Sequence, residues 1–284
     1  MSQSISTYRR QTDLVSISEL KLFSFSPFLY KRKYLDFSPN EKKQSDAQLL
    51  GELIHCLYLE PDKAAERYIK YEKPNTRTKI GKETHSEALE EAERAGKKLI
   101  NQDDMSIATV LQFELEKLLP LRGRDEFLVE QELYIKDPNS FCMPVKGQPD
   151  LYSVRQNVLY DLKSTNMLPL ESDFSSEVLK RKYYWQAAFY IDIIKEIHGL
   201  KKDLAFKFIV AQTEYPHAVQ IFTLDPEAIE CGRQEYTEAL TKLKECKDKD
   251  WFPKTLNAKP DILIGLPGYY RNKTNQLKAK ETKL

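Results

Sequence analysis

The chain of 284 residues lacks the features that mark several classes of protein. Its four cysteines lie far apart with no Cys-x-x-Cys pair, so we expect neither a structural zinc site nor a disulfide framework. The chain does not begin with an apolar segment, and no run approaches the length of a membrane span, so no membrane partner is expected. These absences predict a soluble protein of the reducing cytoplasm.

An excess of positive charge is also lacking. The formal net charge is +1, so no overall basic field indicates a nucleic-acid partner, and any such contact must use local patches. Three basic patches are available: the predicted loop Asn75–Lys82, the run Lys180–Lys182 and a tail over residues 269–284. The length fits a single elaborated α/β domain, which we place at residues 16–268 after a flexible N-terminus of residues 1–15.

The most informative stretch is Val145–Lys163. Two apolar-rich runs, Pro144–Val154 and Val158–Lys163, flank a short polar break, and this pattern predicts a β-hairpin. Side chains alternate along a strand, so Asp161 and Lys163 should share one face while the residue between them points into apolar packing.

Two carboxylates and one lysine are expected to meet on this hairpin. Asp150 lies on the first arm, and Asp161 and Lys163 lie on the second. The carboxylates would repel each other unless a cation lies between them, and a hard divalent cation with oxygen ligands, typically Mg²⁺, is the natural occupant. The alternative is a Pro-Asp turn beside a solvated ion pair, because short motifs of this kind are common on surfaces.

The segments Gly147–Asp150 (GQPD) and Asp161–Lys163 (DLK) together resemble the signature of the PD-(D/E)xK nuclease superfamily. Asp161 then stands in the (D/E) place, eleven positions after Asp150. The resemblance implies a restriction-endonuclease-like core, which is an α/β fold with a mixed central β-sheet flanked by helices. It also implies a hydrolase that cleaves phosphodiester bonds with the help of a divalent metal.

The resemblance assigns a role to each residue of the signature. Asp150, Asp161 and the backbone carbonyl of Leu162 would bind one or two Mg²⁺ ions, which Mn²⁺ can replace. Such ions lower the pKa of bound water and neutralise charge on the phosphate. Lys163 would orient or deprotonate the attacking water and stabilise the developing charge.

A further metal ligand is expected from the segment before the hairpin. Phe127–Lys136 alternates well enough to predict a strand, with Glu130 and Glu132 on one face. The superfamily often supplies a glutamate here as a ligand. The spacing favours Glu130 slightly, and Glu132 is the alternative. The glutamate that is not used is expected to be an exposed acidic group.

A second motif lies in a helix that the apolar pattern predicts over residues 45–61. Gly51 and His55 are four residues apart on one face of that helix. The pattern G-x-x-x-H-x-x-x-L-E-P resembles RecE-type exonucleases (exodeoxyribonuclease VIII and its relatives), in which the histidine faces the metal. His55 is therefore a candidate ligand and catalytic residue. The alternative is a buried structural histidine, which is the commoner case on an apolar helix.

Two patterns resemble RecB-family members of the same superfamily. The N-terminal pattern S-x-S-x-L-x-x-F-x-x-S-P-x-x-Y begins at Ser16. Many relatives carry a cysteine before its proline that helps to hold an iron–sulfur cluster, and because Ser26 stands there we expect no cluster. Gln186 and Tyr190 form a Q-x-x-x-Y pattern that resembles the motif backing the active site and touching the nucleic acid.

The helix that is predicted to carry Gln186 and Tyr190 is expected to begin with three basic residues. Lys180, Arg181 and Lys182 are therefore candidate contacts for nucleic acid, together with Gln186 and Tyr190. Aromatic residues at helical spacing are more often part of a core, so some of this stripe is expected to pack inside the protein.

The RecE resemblance implies double-stranded DNA, digested from an end, as the substrate, in DNA recombination or phage-type DNA processing. Relatives form homo-oligomeric rings that encircle DNA and act with a single-strand annealing protein, so both are expected partners. Two alternatives stay open: a RecB-like nuclease on single-stranded or flap DNA, and a DNA-binding scaffold with a silent site. The intact set Asp150, Asp161 and Lys163 favours an active enzyme.

Overall fold

The computed structural model describes residues 13–36, 44–121 and 127–254. In these ranges the strands are β1 (Val15–Ser16), β2 (Tyr68–Tyr71), β3 (Lys98–Asn101), β4 (Phe127–Val129), β5 (Leu133–Ile135), β6 (Val145–Gly147), β7 (Leu151–Ser153), β8 (Val158–Thr165), β9 (Ala205–Gln212) and β10 (Val219–Thr223). The α-helices are α1 (Ile17–Phe25), α2 (Pro27–Tyr30), α3 (Asp46–Leu59), α4 (Ala64–Arg67), α5 (Lys79–Arg94), α6 (Gln102–Leu118), α7 (Glu171–Lys180), α8 (Tyr183–His198) and α9 (Pro226–Asp248).

A five-stranded sheet forms the centre of the fold, in the order β10-β9-β8-β7-β4. The strands β8 and β9 run parallel, and every other pair of neighbours is antiparallel, so the sheet is mixed. The strand β8 lies in the middle and is paired on both sides. The predicted mixed central sheet is therefore confirmed.

Helices cover both faces of this sheet. Leu159 packs into a core cluster with side chains of α1, α8 and α9, and Leu162 packs into a second cluster with α3 and α6. Successive side chains of a strand point to opposite faces, so Asp161 and Lys163 lie on the α8 side, while Leu162 points the other way as predicted.

A second, smaller sheet has the order β1-β6-β5, and β2 and β3 form a separate parallel pair. On β6, Lys146 lies 3.5 Å (Nζ to Oε1) from Glu19 of α1, and this ion pair is buried. Ser26 caps α2 by accepting a hydrogen bond from the backbone N–H of Leu29. The ion pair holds α1 against the smaller sheet, and the cap fixes the start of α2.

The helix α3 approaches β8 closely. It begins with a capping box in which Ser45 and Gln48 exchange hydrogen bonds between side chain and backbone. A Cβ on Gly51 would lie only 2.8 Å from Oγ of Ser164, so the glycine is what allows helix and strand to approach at this point. One turn further along α3, the same approach brings His55 to the backbone of β8.

The predicted hairpin is confirmed for its second arm and for the end of its first arm only. The strands β7 and β8 are antiparallel and joined by the turn Val154–Asn157. The predicted first arm, Pro144–Val154, is interrupted, because Val145–Gly147 belongs to the smaller sheet and the hairpin strand begins at Leu151. Pro149 explains part of this break, since proline has no N–H to donate to a sheet ladder.

The predicted strand Phe127–Lys136 is likewise divided, and its halves β4 and β5 lie in different sheets. Glu130 follows β4 directly and has a φ of 47°, in the left-handed region that interrupts an extended strand.

The helix α7 lies where the sequence predicted a polar loop over Asn166–Glu177. Lys180 is its last residue, so it ends one helix instead of beginning the next, which starts at Tyr183. The residue Lys182 between the two helices has a φ of 51°. Phe174 is the buried residue of α7, and one apolar anchor in a polar segment produces little helical periodicity.

The N-terminal boundary also differs from the prediction. Leu14 and Val15 belong to the segment 1–15 that was expected to be flexible, yet both are buried and Val15 begins β1. Residues 1–12 and the predicted basic tail 269–284 lie outside the described residues. Among the helices that are described, none has the length and apolar character needed to cross a membrane.

The contact between α8 and α9 provides a test of this packing. A Cβ on Gly232 would lie 2.3 Å from the backbone oxygen of Tyr184, so an alanine there must push the two helices apart. We expect Gly232→Ala to lower the free energy of unfolding by about 1–3 kcal/mol, the usual cost of overpacking. Gln234→Ala, an exposed position on the same helix, should change it by less than about 0.5 kcal/mol. Equal urea midpoints for the two variants would contradict the close approach.

Candidate metal site and substrate groove

Three side chains from distant parts of the sequence meet beside β8. His55 comes from α3, Glu130 follows β4 and Asp150 precedes β7. Their ligand atoms all lie within 4.8 Å of one another, and we refer to these three residues as the triad. The structure thus brings together three of the predicted site residues, and their role as metal ligands stays a prediction.

His55 connects the triad to the backbone of β8. Its Nε2 lies 2.8 Å from the carbonyl oxygen of Leu162. A carbonyl can only accept a hydrogen bond, so Nε2 is assigned a proton. Nδ1, the other ring nitrogen, lies 3.6 Å from Oδ2 of Asp150.

Asp150 is bound to the same residue of β8. Its Oδ2 accepts a hydrogen bond of 2.7 Å from the backbone N–H of Leu162. Leu162 therefore serves the site through both of its backbone groups, while its side chain lies in the core. The Leu162 carbonyl, which was predicted to be a metal ligand, accepts its hydrogen bond from His55 in this structure.

Glu130 is the glutamate of the triad, for which the sequence offered both Glu130 and Glu132. Its backbone N–H donates to the carbonyl of Asp150 at 2.9 Å, and its own carbonyl accepts from Nε2 of Gln148 at 3.2 Å. The alternative residue, Glu132, lies elsewhere and accepts a hydrogen bond of 2.6 Å from the hydroxyl of Tyr134. The geometry therefore places Glu130, and not Glu132, in the triad.

Burial and neighbouring negative charge raise the pKa of two acidic groups of this site, Glu130 and Asp150. Burial raises the pKa of Glu130, and the nearby carboxylates of Asp150 and Asp161 raise it further. Burial and the charge of Asp161 also raise the pKa of Asp150, although His55 and Lys163 oppose the shift. Ionised carboxylates in such a cluster disfavour the folded state unless a cation lies among them.

The triad fits a divalent metal ion. One imidazole nitrogen and two carboxylates form a donor set that Mg²⁺ and Mn²⁺ accept. With the single proton of a neutral imidazole on Nε2, Nδ1 of His55 and Oδ2 of Asp150 both offer a lone pair to a cation. One divalent cation there would also offset the carboxylate repulsion that adds to burial in raising the pKa values of Glu130 and Asp150.

Asp161 lies next to the triad. The register of β7 and β8, extended by one residue, places it opposite Asp150. The residue is 1% exposed, and its Oδ1 accepts a hydrogen bond of 2.5 Å from Nε2 of Gln186. Its Oδ2 lies 2.5 Å from Nζ of Lys163 as an ion pair, without the alignment of a hydrogen bond. Both of its oxygens therefore have a positive or polar neighbour.

Lys163 points to the same side of the sheet as Asp161. Its Nζ lies 4.7 Å from the centre of the Tyr183 ring. Burial alone would lower the pKa of Lys163, but the carboxylates of Asp161 and Asp150 outweigh burial and raise it. The ammonium group is thus a fixed cation at the edge of the acidic cluster.

A second lysine reaches the site and was not predicted. Lys21 of α1 donates a hydrogen bond of 3.3 Å from Nζ to Oε1 of Gln186, so Gln186 links Lys21 to Asp161. Burial, followed by the charge of Lys163, lowers the pKa of Lys21 to about 7. No pattern in the sequence marks this residue, because it occupies a variable position of the N-terminal motif and a lysine on a surface helix is usually solvated.

The predicted contacts in α8 have different surroundings. Gln186 reaches the site by binding Asp161. Tyr190 is 9% exposed, and its ring lies 3.3 Å from where a Cβ on Gly147 would be, so it packs behind the site. Its helical position coincides with the buried stripe of α8, and its contact with nucleic acid stays a prediction.

The predicted basic run is largely engaged by its own neighbours. Lys180 and Arg181 both form ion pairs with Glu177. The ammonium of Lys182 lies 3.6 Å from the ring centre of Trp185. Of these three basic residues, Arg181 is the one that lines the groove described next.

An open groove of about 2210 Å³ lies over the triad, and His55, Glu130 and Lys163 are among its lining residues. It is larger than the roughly 300–1,000 Å³ of a typical small-molecule pocket, so its shape favours an extended ligand. Among the described residues that line it, acidic side chains outnumber basic ones. A polyanion such as nucleic acid would therefore require bound cations to enter this groove.

Comparisons with known proteins were made for sequence and for structure. Residues 16–258 match the profile of a family described as a PDDEXK-like domain of unknown function (DUF3799). None of the curated proteins compared with the chain matches it.

Two solved structures illustrate the structural likeness. A candidate exonuclease from Eubacterium rectale aligns with a TM-score of 0.62 at 14% identity, over 96% of this chain and 97% of that chain. A phage-related exonuclease from Haemophilus somnus 129PT aligns with a TM-score of 0.32 at 13% identity, over 69% of this chain and 94% of that chain. At such identity the first likeness establishes the fold alone.

A matched pair of variants tests the triad. Glu130→Gln removes a charged ligand, so we expect Mn²⁺ affinity to fall at least about 10-fold and the Mn²⁺-induced rise in melting temperature to shrink accordingly. Glu132→Gln should respond to Mn²⁺ as the wild type does. In excess chelator, Glu130→Gln should melt no lower than the wild type, because the repulsion within the cluster is relieved. Equal Mn²⁺ responses of both variants in a thermal-shift titration would contradict the assignment.

Proposed function

This chain belongs to the family of PDDEXK-like domains, and from that premise we propose that it is a metal-dependent deoxyribonuclease that degrades DNA from its ends. The observation that supports the proposal best is the meeting of His55, Glu130 and Asp150 beside the Asp161–Lys163 pair, where His55, Glu130 and Lys163 line one groove. The pattern around Gly51 and His55 resembles RecE-type exonucleases, which favours double-stranded ends as substrate and a role in recombination or phage-type DNA processing.

The carboxylates of Glu130 and Asp150, with Nδ1 of His55, would hold Mg²⁺ or Mn²⁺, and Asp161, which lies opposite Asp150 in the register of β7 and β8, would join them. A metal bound there supplies a water molecule of lowered pKa and a positive charge for the phosphate. The protein contributes the arrangement: β8 presents Asp161, and the Leu162 backbone holds both Asp150 and His55 in place.

Lys163 acts as a charged donor in this scheme. Its ammonium group is paired with Asp161, and such pairing keeps the proton on nitrogen. A protonated amine donates hydrogen bonds and does not abstract protons, so Lys163 orients the attacking water or stabilises charge on the phosphate oxygens. Of the two roles that the sequence left open for this lysine, orientation is therefore the one that the ion pair favours.

Gln186 and Lys21 support Asp161 from the side of the helices. The amide of Gln186 donates to Asp161 and accepts from Lys21, so the carboxylate is held between Gln186 and Lys163. Gln186 lies on the helix α8, so its amide limits the conformations that the Asp161 carboxylate on β8 can adopt.

The first test concerns the chemistry. Asp161→Asn and Lys163→Ala should each lower hydrolysis of end-labelled linear DNA by at least about 100-fold, because the first removes a charge that would help to hold the metal and the second removes a cation that would act on the phosphate. Lys242→Ala should keep the wild-type rate, since Lys242 pairs with Glu238 on the exposed side of α9.

Metal dependence is checked in the same assay. Excess EDTA should abolish cleavage, Mn²⁺ should replace Mg²⁺, and Ca²⁺ should bind without supporting turnover. Robust hydrolysis in EDTA, or a wild-type rate for either site variant with normal circular dichroism, would overturn the proposed mechanism.

The second test concerns the substrate. The groove of one chain is open, so a channel that DNA can enter only at an end requires assembly of several copies, as in the RecE-type rings. We therefore expect linear duplex to be degraded at least about 10-fold faster than covalently closed circles, and light scattering to show an oligomer.

The same assay separates the alternatives. Comparable cutting of closed circles would indicate an open-cleft endonuclease, and the exonuclease proposal would then be wrong. Faster cutting of single-stranded or flap DNA by a monomer would favour the RecB-like alternative, for which the open, acid-rich groove is the supporting observation. No cleavage of any DNA by a protein that binds it would favour the scaffold alternative.

A further inference from the structure

Glu130 holds its place in the triad through an unfavourable backbone conformation. Its φ of 47° lies in the left-handed region, which residues other than glycine seldom adopt. Such a conformation persists where the surroundings impose it, and it is common at functional sites. The alternating pattern of the sequence around Glu130 itself favours a continuous extended strand.

The surroundings that impose it come from one short segment. The N–H of Glu130 donates to the carbonyl of Asp150, and the carbonyl of Glu130 accepts from the side-chain amide of Gln148. Both backbone polar groups of Glu130 are therefore bound by residues 148–150. The first bond continues the pairing of β4 with β7, so it would form in an extended strand as well. The second bond is specific to the turned conformation.

We propose that Gln148 is a positioning residue for the metal site: its side-chain amide holds Glu130 in the left-handed conformation that directs the carboxylate into the triad. The proposal rests on the proposed metal site and assigns a function to the glutamine of the GQPD segment. Without this amide, the Glu130 carbonyl loses its partner, and the backbone relaxes towards the extended conformation. The carboxylate then leaves the other two ligands.

The hydrogen bond from Gln148 to Glu130 also explains why the predicted strand Phe127–Lys136 is divided. With Glu130 extended, β4 and β5 would form one strand in one sheet. With Glu130 turned, the chain passes from the central sheet to the smaller sheet between the two strands. Gln148 lies between β6 and β7, where this segment also passes between the smaller sheet and the central sheet. One side chain therefore stabilises both changes of sheet.

The test measures Mn²⁺ affinity by isothermal titration calorimetry on the full chain. Gln148→Met keeps the length of the side chain and removes the donor, so we expect affinity to fall about 10- to 100-fold, as for other residues that orient metal ligands. Gln220→Met is the matched control, because Gln220 also donates to a backbone carbonyl but on the exposed edge strand β10. It should bind Mn²⁺ as the wild type does.

A double-mutant cycle separates positioning from a general loss of structure. If Gln148 acts through Glu130, Gln148→Met should cause no further loss of affinity in a Glu130→Gln background. An additive loss would show that Gln148 acts elsewhere and would overturn the proposal. Unchanged affinity of Gln148→Met would overturn it as well and leave the nuclease proposal standing. A wild-type protein that binds no Mn²⁺ would instead overturn the metal site on which both depend.

Discussion

Mutual repulsion of buried carboxylates is the constraint around which this site is built. Glu130, Asp150 and Asp161 lie within reach of one another's charges, and burial raises the pKa of the first two. The fold offsets this repulsion with the ammonium of Lys163 and with the backbone N–H of Leu162. These groups compensate only part of the charge, and the remaining negative charge supports the proposed binding of a divalent cation at the triad.

The stability of the site depends on the helices that cover the α8 face of the sheet. Gln186 can hold Asp161 because α8 is fixed at its N-terminal end, where Tyr184 and Trp185 both donate to Glu235 of α9 at 2.6 Å. Gly232 lets the two helices approach to backbone contact at the same level. Packing between α8 and α9 therefore sets the position of a carboxylate in the central sheet, through one amide side chain.

The sequence predicts those parts of the site whose residues follow the periodicity of a strand or of a helix. Alternation along β8 predicts that Asp161 and Lys163 share a face. Helical spacing predicts that Gly51 and His55 share a face of α3, while the resemblance to RecE-type exonucleases is what assigns His55 to the site. The conformation of Glu130 could not be predicted, because a tertiary hydrogen bond from Gln148 overrides the local preference for an extended strand. Lys21 escaped notice because its burial depends on how α1 packs against α8, and no local pattern encodes that contact.

Leu162 shows why one position of a motif can accept different side chains. Its N–H and C=O both belong to the site, whereas its side chain lies in the core on the other face of the sheet. Every amino acid except proline carries these two backbone groups, so selection on the reaction restricts the conformation at this position and not the identity of the side chain. The core then decides the residue, and any apolar side chain of suitable volume would satisfy it. The position of Leu162 is thus variable in the signature although its backbone belongs to the site. A substitution there cannot easily remove the two backbone contacts.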